Sequence, residues 1–204
     1  MVTESSQILF LASASPRRRQ LLGQLGFEVQ VQAVDMDESR HEGESPEAYC
    51  VRLALDKNQL AVSRYQPTLP VVTADTIVVM DNDTLGKPEN RQAVIETLNR
   101  LSDNTHQVIT AVAIHHRGEV VHDRNISRVQ FGAIDPNWIT VYADSKEPYD
   151  KAGAYGIQGS AGRWIKSING SYSGIMGLPL YETAQLLSQL GLMSDARHNN
   201  RQTT

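Results

Sequence analysis

The chain predicts a mixed α/β protein with an extended central sheet. Three observations carry this. In the first half, short apolar runs of strand length alternate with segments whose apolar residues recur at helical spacing. Later come two long β-rich runs, Thr105 to His116 and Glu119 to Phe131, joined at Arg117-Gly118 and so predicted as an antiparallel pair. Three helices announce their starts with a capping residue followed by proline, at Ser15-Pro16, Ser45-Pro46 and Asp135-Pro136.

In order, Ile8 to Ala12 is a short apolar run that reads as a buried strand. Ser15-Pro16 opens a helix whose apolar face is Leu21, Leu22 and Leu25, with Gly26 suited to its C-terminal cap. Phe27 to Val34 alternates apolar and polar residues and predicts a strand. Asp35 to Glu44 is an acidic loop. The helix from Ser45-Pro46 should run to about Tyr65, with Leu53, Leu60 and Ala61 at helical spacing and Lys57 four residues after Leu53. Pro70 to Met80 is the most apolar strand, followed by a turn at Asp81-Asn82-Asp83 and a helix from Glu89 to Leu101. The helix opened by Asp135-Pro136 should end at Ala143. Asp150 to Gly162 is a glycine-rich loop, Arg163 to Ser167 a short strand, Asn169-Gly170 a turn, and Pro179 to Leu190 the last helix, capped by Gly191. The expected organisation is one domain over 1–195 with a disordered polar tail, 196–204.

The bulk composition narrows the function. A net charge of −4 argues against general nucleic-acid binding, so any basic patch must be local. One cysteine, Cys50, rules out an intramolecular disulfide or a cysteine zinc cluster and suits a reducing, cytoplasmic compartment. No apolar run has the length of a membrane span. Ala12-Ser13-Ala14 imitates a signal-peptidase site, but its apolar run is too short and Glu4 stands where a basic region is required, so secretion is not expected.

The first anomaly is Arg17-Arg18-Arg19 in the first turn of a helix, where the dipole is already positive. Each arginine there costs roughly 0.3–1 kcal/mol. Free backbone N–H groups, the hydroxyls of Ser13 and Ser15, and guanidinium forks together suit a phosphate group. The second anomaly is Asp75 inside Val71-Val72-Thr73-Ala74-Asp75-Thr76-Ile77-Val78-Val79. A carboxylate buried there needs a cationic partner, or it serves as a metal ligand or general base. Asp35, Asp37 and Glu38 offer hard oxygen ligands of the kind that magnesium or manganese takes. Lys57 and Lys87 are candidate phosphate cations, Lys87 the better placed because Gly86 and Pro88 fix the backbone around it. Gln158 lies in Tyr155-Gly156-Ile157-Gln158-Gly159, where the backbone permits close approach. Its amide matches the imide edge of uracil or thymine, although on the residues alone a loop glutamine bonding backbone is the simpler reading. There is no Walker loop, no G-x-G-x-x-G after a strand and no H-E-x-x-H, and Gly170-Ser171-Tyr172-Ser173-Gly174 misplaces serine for a hydrolase elbow.

Taken together, these stretches resemble the Maf family of nucleoside triphosphate pyrophosphatases over about Ile8 to Leu192. The resemblance is carried by Leu11-Ala12-Ser13-Ala14-Ser15-Pro16-Arg17-Arg18, Asp35-Met36-Asp37-Glu38, Ala74-Asp75-Thr76, Gly86-Lys87-Pro88, Asp150 to Gly159, and Gly177-Leu178-Pro179-Leu180. It implies two lobes around a mixed sheet with flanking helices, a cleft between the lobes, and a homodimer. It also implies metal-dependent hydrolysis of a nucleoside triphosphate to monophosphate and pyrophosphate. In this resemblance Asp75 is the catalytic aspartate. Ser13, Arg17, Arg18, Lys57 and Lys87 fall at phosphate-binding positions, and Glu38 at a metal-binding or water-positioning one; Glu38 and Asp75 would hold the divalent cation, Mg²⁺ or Mn²⁺. Arg17, Thr76 and Gln158 fall at positions tied to base choice, and their pattern resembles the subgroup acting on dTTP and UTP. The subgroup that takes 7-methyl-GTP has a bulky aromatic residue in place of Arg17. Two other functions stay open at this point: a nucleotide-binding regulator of septum formation without turnover, and a pyrophosphatase for modified purine nucleotides.

Overall fold

The computed structural model describes residues 7–193, so the tail expected at 196–204 lies outside the described residues. The elements are β1 (Ile8–Leu11), α1 (Pro16–Gln24), β2 (Glu28–Val31), α2 (Pro46–Tyr65), β3 (Val71–Met80), β4 (Asp83–Leu85), α3 (Arg91–Leu101), β5 (Thr105–His116), β6 (Glu119–Phe131), α4 (Pro136–Ala143), β7 (Ile165–Asn169), α5 (Tyr172–Met176) and α6 (Leu180–Gln189). Two short 3₁₀ turns, Ala152–Ala154 and Ser160–Trp164, interrupt the glycine-rich loop.

All three proline-opened helices form as read, and each cap is made. Ser15, Ser45 and Asp135 accept hydrogen bonds from the backbone N–H of Arg18, Ala48 and Asn137 respectively. The β5–β6 hairpin turns at Arg117-Gly118, and the β3–β4 turn places Asp81 and Asn82 at φ 52° and 68°, the left-handed geometry that a two-residue hairpin loop demands. Three expectations are corrected. The strand over Phe27 to Val34 is four residues long and mostly exposed, because it lies at the sheet edge beside the equally short β1. The strand expected at Arg163 begins at Ile165, since Arg163 and Trp164 belong to a 3₁₀ turn. The stretch Tyr172–Met176, to which the sequence assigns no element, is a helical turn capped by Ser171.

The sheet has seven strands in the order β2-β1-β3-β5-β6-β7, with β4 paired to β3. β1 pairs parallel with β2 and β3, and the remaining pairs are antiparallel. α2 covers one face, where Cys50 and Ala54 pack on Ile77, Val79, Ile109, Ala111 and Ala113. The other face carries two separate groups of helices. Leu21 and Leu22 of α1 and Leu186 and Leu187 of α6 pack on Leu9, Leu11, Val72 and Val112. Val94 and Leu98 of α3 and Ile139 and Tyr142 of α4 pack on Val78, Val108, Val129 and Phe131. These groups are the two lobes, and Ile157 touches both.

The shortness of β1 and β4 leaves part of β3 unpaired on one side. β1 pairs with β3 only as far as Leu11↔Val72, and β4 pairs with β3 only from Val78↔Leu85. On that side of β3, residues 73–77 have no strand neighbour. The sheet therefore has a notch, and Asp75 and Thr76 sit in it.

Candidate active site

A cavity of about 790 Å³ opens at the notch. Ser13, Arg17, Arg18, Glu38, Lys57, Asp75, Thr76, Lys87 and Gln158 all line it. Consecutive strand residues point to opposite faces, so Asp75 turns toward α2 while Thr76 turns toward the two lobes. One cavity reaches both because no strand fills the gap.

On the α2 side, Tyr49, Leu53 and Lys57 are spaced by four and share the helix face that lines the cavity. Asp75 is 6% exposed, and its Oδ1 lies 2.6 Å from Lys57 Nζ. Glu38 Oε1 lies 2.6 Å from the same ammonium. Burial pulls the Lys57 ammonium down, but the two carboxylates outweigh it and hold the group above its ordinary value. The acidic loop is fixed from beneath. Tyr49 Oη donates to the Glu38 carbonyl at 2.6 Å, and Arg52 Nη2 donates to the Ser39 carbonyl at 3.0 Å. Arg52 also grips Glu44 through both oxygens, at 2.7 and 2.9 Å, which pulls that carboxyl down to about 2. Of the three acids expected to gather there, only Glu38 reaches the cavity; Asp37 instead accepts from the N–H and hydroxyl of Ser39. Among the described residues no three His, Cys, Asp or Glu side chains converge as a metal site. Two carboxylates suit a hard cation that takes its other ligands from phosphate oxygens and water.

On the opposite side Arg18 holds the junction together. Its Nε donates to the Gly177 carbonyl at 2.8 Å, Nη1 to Ser13 Oγ at 3.2 Å and Nη2 to Thr76 Oγ1 at 3.3 Å. Burial draws the guanidinium below its ordinary value, with Asp75 opposing the shift. Ser13 Oγ also accepts from the Ser15 N–H at 3.2 Å. Both of these contacts use Ser13 as acceptor, so its own proton remains available. The Thr110 hydroxyl lies 2.8 Å from the Gly174 carbonyl and 2.9 Å from Thr76 Oγ1. The one Thr110 proton faces both acceptors, and Thr76 Oγ1 also accepts from Arg18, so Thr76 helps to anchor Arg18.

Arg17 and Lys87 line the same cavity and make no side-chain hydrogen bond or ion pair among the described residues. Arg19, the third arginine of the run, does not line it. The Lys87 segment is tied to the glycine-rich loop by a hydrogen bond from the Gly153 N–H to the Gly86 carbonyl at 3.1 Å. In that loop Gly153 has φ 68°, and a Cβ there would stand 2.9 Å from Val78 Cγ2. The Gln158 side chain is exposed at the rim. Beside it Tyr155 is 5% exposed, packed on Phe131 with ring centroids 4.9 Å apart, and its hydroxyl lies 2.7 Å from His106 Nε2. Burial lowers His106 to about 4, so the ring is neutral near pH 7.

Sequence reasoning missed Tyr49, Arg52 and Tyr155. Tyr49 carried a usable signal, since it stands two helical steps of four before Lys57. Arg52 and Tyr155 act through partners that no spacing predicts. Altogether five cations (Arg17, Arg18, Lys57, Lys87, Lys151) and three carboxylates (Glu38, Asp75, Asp150) line the cavity. The surplus of positive charge suits a polyanion with one end near Asp75.

The family described as Maf-like protein matches residues 8–190. A protein of Neisseria meningitidis serogroup B named dTTP/UTP pyrophosphatase is 47% identical over 192 residues, covering 91% of this chain and 95% of its own. A protein of the same name from Colwellia psychrerythraea is 46% identical over 195 residues, covering 94% and 92%. Among solved structures, a nucleoside-triphosphatase, or dITP/XTP pyrophosphatase, of Mycobacterium abscessus aligns over 91% of this chain and 95% of that one at 16% identity, with a TM-score of 0.43.

Proposed function

We infer that this chain, which belongs to the Maf-like protein family, is an enzyme that hydrolyses dTTP and UTP to the monophosphate and pyrophosphate. The observation that carries the reading is the meeting of a buried aspartate and an arginine-bearing helix start across one cavity. In the reaction, water attacks the α-phosphorus, a P–O bond forms, and the bond from the α-phosphorus to the bridging oxygen breaks to release pyrophosphate.

Asp75 orients the water and takes its proton. Arg17 and Lys87 bind the departing pyrophosphate, whose charge grows in the transition state. Ser13 donates its hydroxyl proton to a phosphate oxygen. Arg18 adds positive charge while holding Ser13 and Thr76 in place. A divalent cation would be held by Glu38 and Asp75 with phosphate oxygens, and would supply Lewis-acid polarisation of the phosphoryl group. Lys57 neutralises phosphate charge from the α2 side. Gln158 reads the pyrimidine imide edge with one donor and one acceptor. We take residues 1–195 as one domain, working as a homodimer in the cytoplasm. Sedimentation of the purified chain checks the oligomer.

The test is pyrophosphate release from dTTP, UTP, ITP and 7-methyl-GTP, each with and without Mg²⁺ or Mn²⁺. The expected result is metal-dependent turnover with dTTP and UTP preferred. Retention of nucleotide without turnover would identify a binding regulator instead. A purine preference would refute the role given to Gln158.

A further inference from the structure

Lys57 is already engaged. The residue is 9% exposed, and its ammonium lies 2.6 Å from one oxygen of each of two carboxylates. The carboxylates come from separate elements, Asp75 from the middle of β3 and Glu38 from a loop pinned by Tyr49 and Arg52. An ammonium has three donors and no acceptor, so it can serve both oxygens at once and quench their mutual repulsion. These are the two carboxylates that the hydrolase reading gives to a divalent cation. A metal ion there would compete with the ammonium for the oxygens it now holds and would stand within a few ångströms of a like charge. Among the described residues no third acidic or imidazole ligand joins the pair to tip the balance toward metal.

We propose that Lys57 holds the cation's place between Glu38 and Asp75, so that the chain alone has little affinity for divalent metal. The ion enters with the triphosphate, and Lys57 exchanges its carboxylates for phosphate oxygens as it does so. The four-carbon stem of lysine permits that exchange, because Lys57 and the arginine turn line the same cavity. The proposal rests on the hydrolase reading for the ligand's identity, but its test requires no turnover.

Mn²⁺ binding to the full chain is measured by electron paramagnetic resonance without nucleotide, for wild type, Lys57→Met, Lys57→Gln and the double variant Lys57→Met/Asp75→Asn. Both single variants should bind Mn²⁺ at least about tenfold more tightly than wild type, the scale expected from removing a like charge beside the ion. The double variant should lose that gain. Equal affinity in wild type and the Lys57 variants overturns the proposal, as does a gain that survives Asp75→Asn. The wild-type arm depends on no substitution: uptake of one Mn²⁺ per chain at micromolar protein overturns it alone. Pyrophosphate release from dTTP is scored separately. Turnover with unchanged Mn²⁺ affinity removes this proposal and leaves the hydrolase reading intact. A gain in Mn²⁺ affinity in the Lys57 variants with no turnover by wild type supports the ion exchange and removes the substrate assignment.

Discussion

Replacing Arg18 and Arg17 in turn by lysine separates two roles that adjacent arginines hold. The Arg18 fork sends three nitrogens to three acceptors, Gly177 O at 2.8 Å, Ser13 Oγ at 3.2 Å and Thr76 Oγ1 at 3.3 Å. A lysine brings one nitrogen and cannot span acceptors set out along a planar guanidinium. Losing two of the three bonds at about 1–2 kcal/mol each gives a destabilisation of about 2–4 kcal/mol. For a chain of this length that is a fall in Tm of about 4–16 °C. Arg17 has no such partner among the described residues, so Arg17→Lys should change stability by no more than about 0.5 kcal/mol. Arg17→Ala should instead raise KM for dTTP about tenfold, the loss of about 1.4 kcal/mol of phosphate binding. Thermal unfolding and steady-state kinetics on the same preparations make the comparison. Equal Tm shifts for Arg18→Lys and Arg17→Lys, or an Arg18→Lys protein that melts with wild type, would show that the Arg18 fork does not hold Ser13 and Gly177 together.

Other outcomes follow from the same geometry. Asp75→Asn keeps the side-chain shape and should lower kcat by about 10²–10⁴-fold; single-turnover pyrophosphate release reads this, and a normal rate removes Asp75 from the chemistry. Gln158→Ala should lower kcat/KM for UTP and dTTP by about 1–3 kcal/mol and narrow their advantage over ITP, whereas a uniform loss across all nucleotides would mean that Gln158 does not read the base. His106 is neutral in the folded chain and lowered to about 4 by burial. The unfolded chain therefore binds the extra proton first, and this residue's contribution is complete above about pH 6.5 and lost as pH falls toward 4. By pH 5 that loss is about 2 kcal/mol. Urea unfolding of wild type and His106→Phe at pH 8 and pH 5 should show the steeper decline in wild type, and parallel declines would refute it.

The parts of this protein that were legible are those governed by neighbours in the chain. Ser-Pro and Asp-Pro pairs gave helix starts because a cap and a fixed φ act within four residues. The Arg17-Arg18 turn and Asp75 stood out because each violates a local rule, one against the helix dipole and one against burial of charge. Distant partnerships were not legible. Arg18 meets Gly177 across 159 positions, and Glu38 meets Lys57 only because Tyr49 and Arg52 pin the loop that carries it. Thr76 shows the limit well: no spacing in the chain foretells its bonds to Thr110 and Arg18. β2 misled because alternation reports a strand without saying how much of it finds a partner. Helix α5 escaped because five residues hold too little periodicity to register.

The notch explains why these residues can cooperate at all. In a continuous sheet, Asp75 and Thr76 would be separated by the sheet itself, one beneath α2 and the other beneath the lobes. The short β1 ends at Leu11, the three-residue β4 starts at Asp83, and the span of β3 between their pairings is open on that side. The chain leaving β1 turns at Ser13 into α1, so the arginine turn is delivered to the rim of that opening. One ligand can then touch the Asp75–Lys57–Glu38 group on one face and the Arg18–Thr76 anchor on the other. Extending β4 toward Thr73 by inserted residues would restore a strand neighbour and close the passage. Such a chain should keep its fold and lose triphosphate binding. If it bound dTTP as before, the phosphate and the aspartate would have to meet by a route around the sheet edge, and the gap would be incidental.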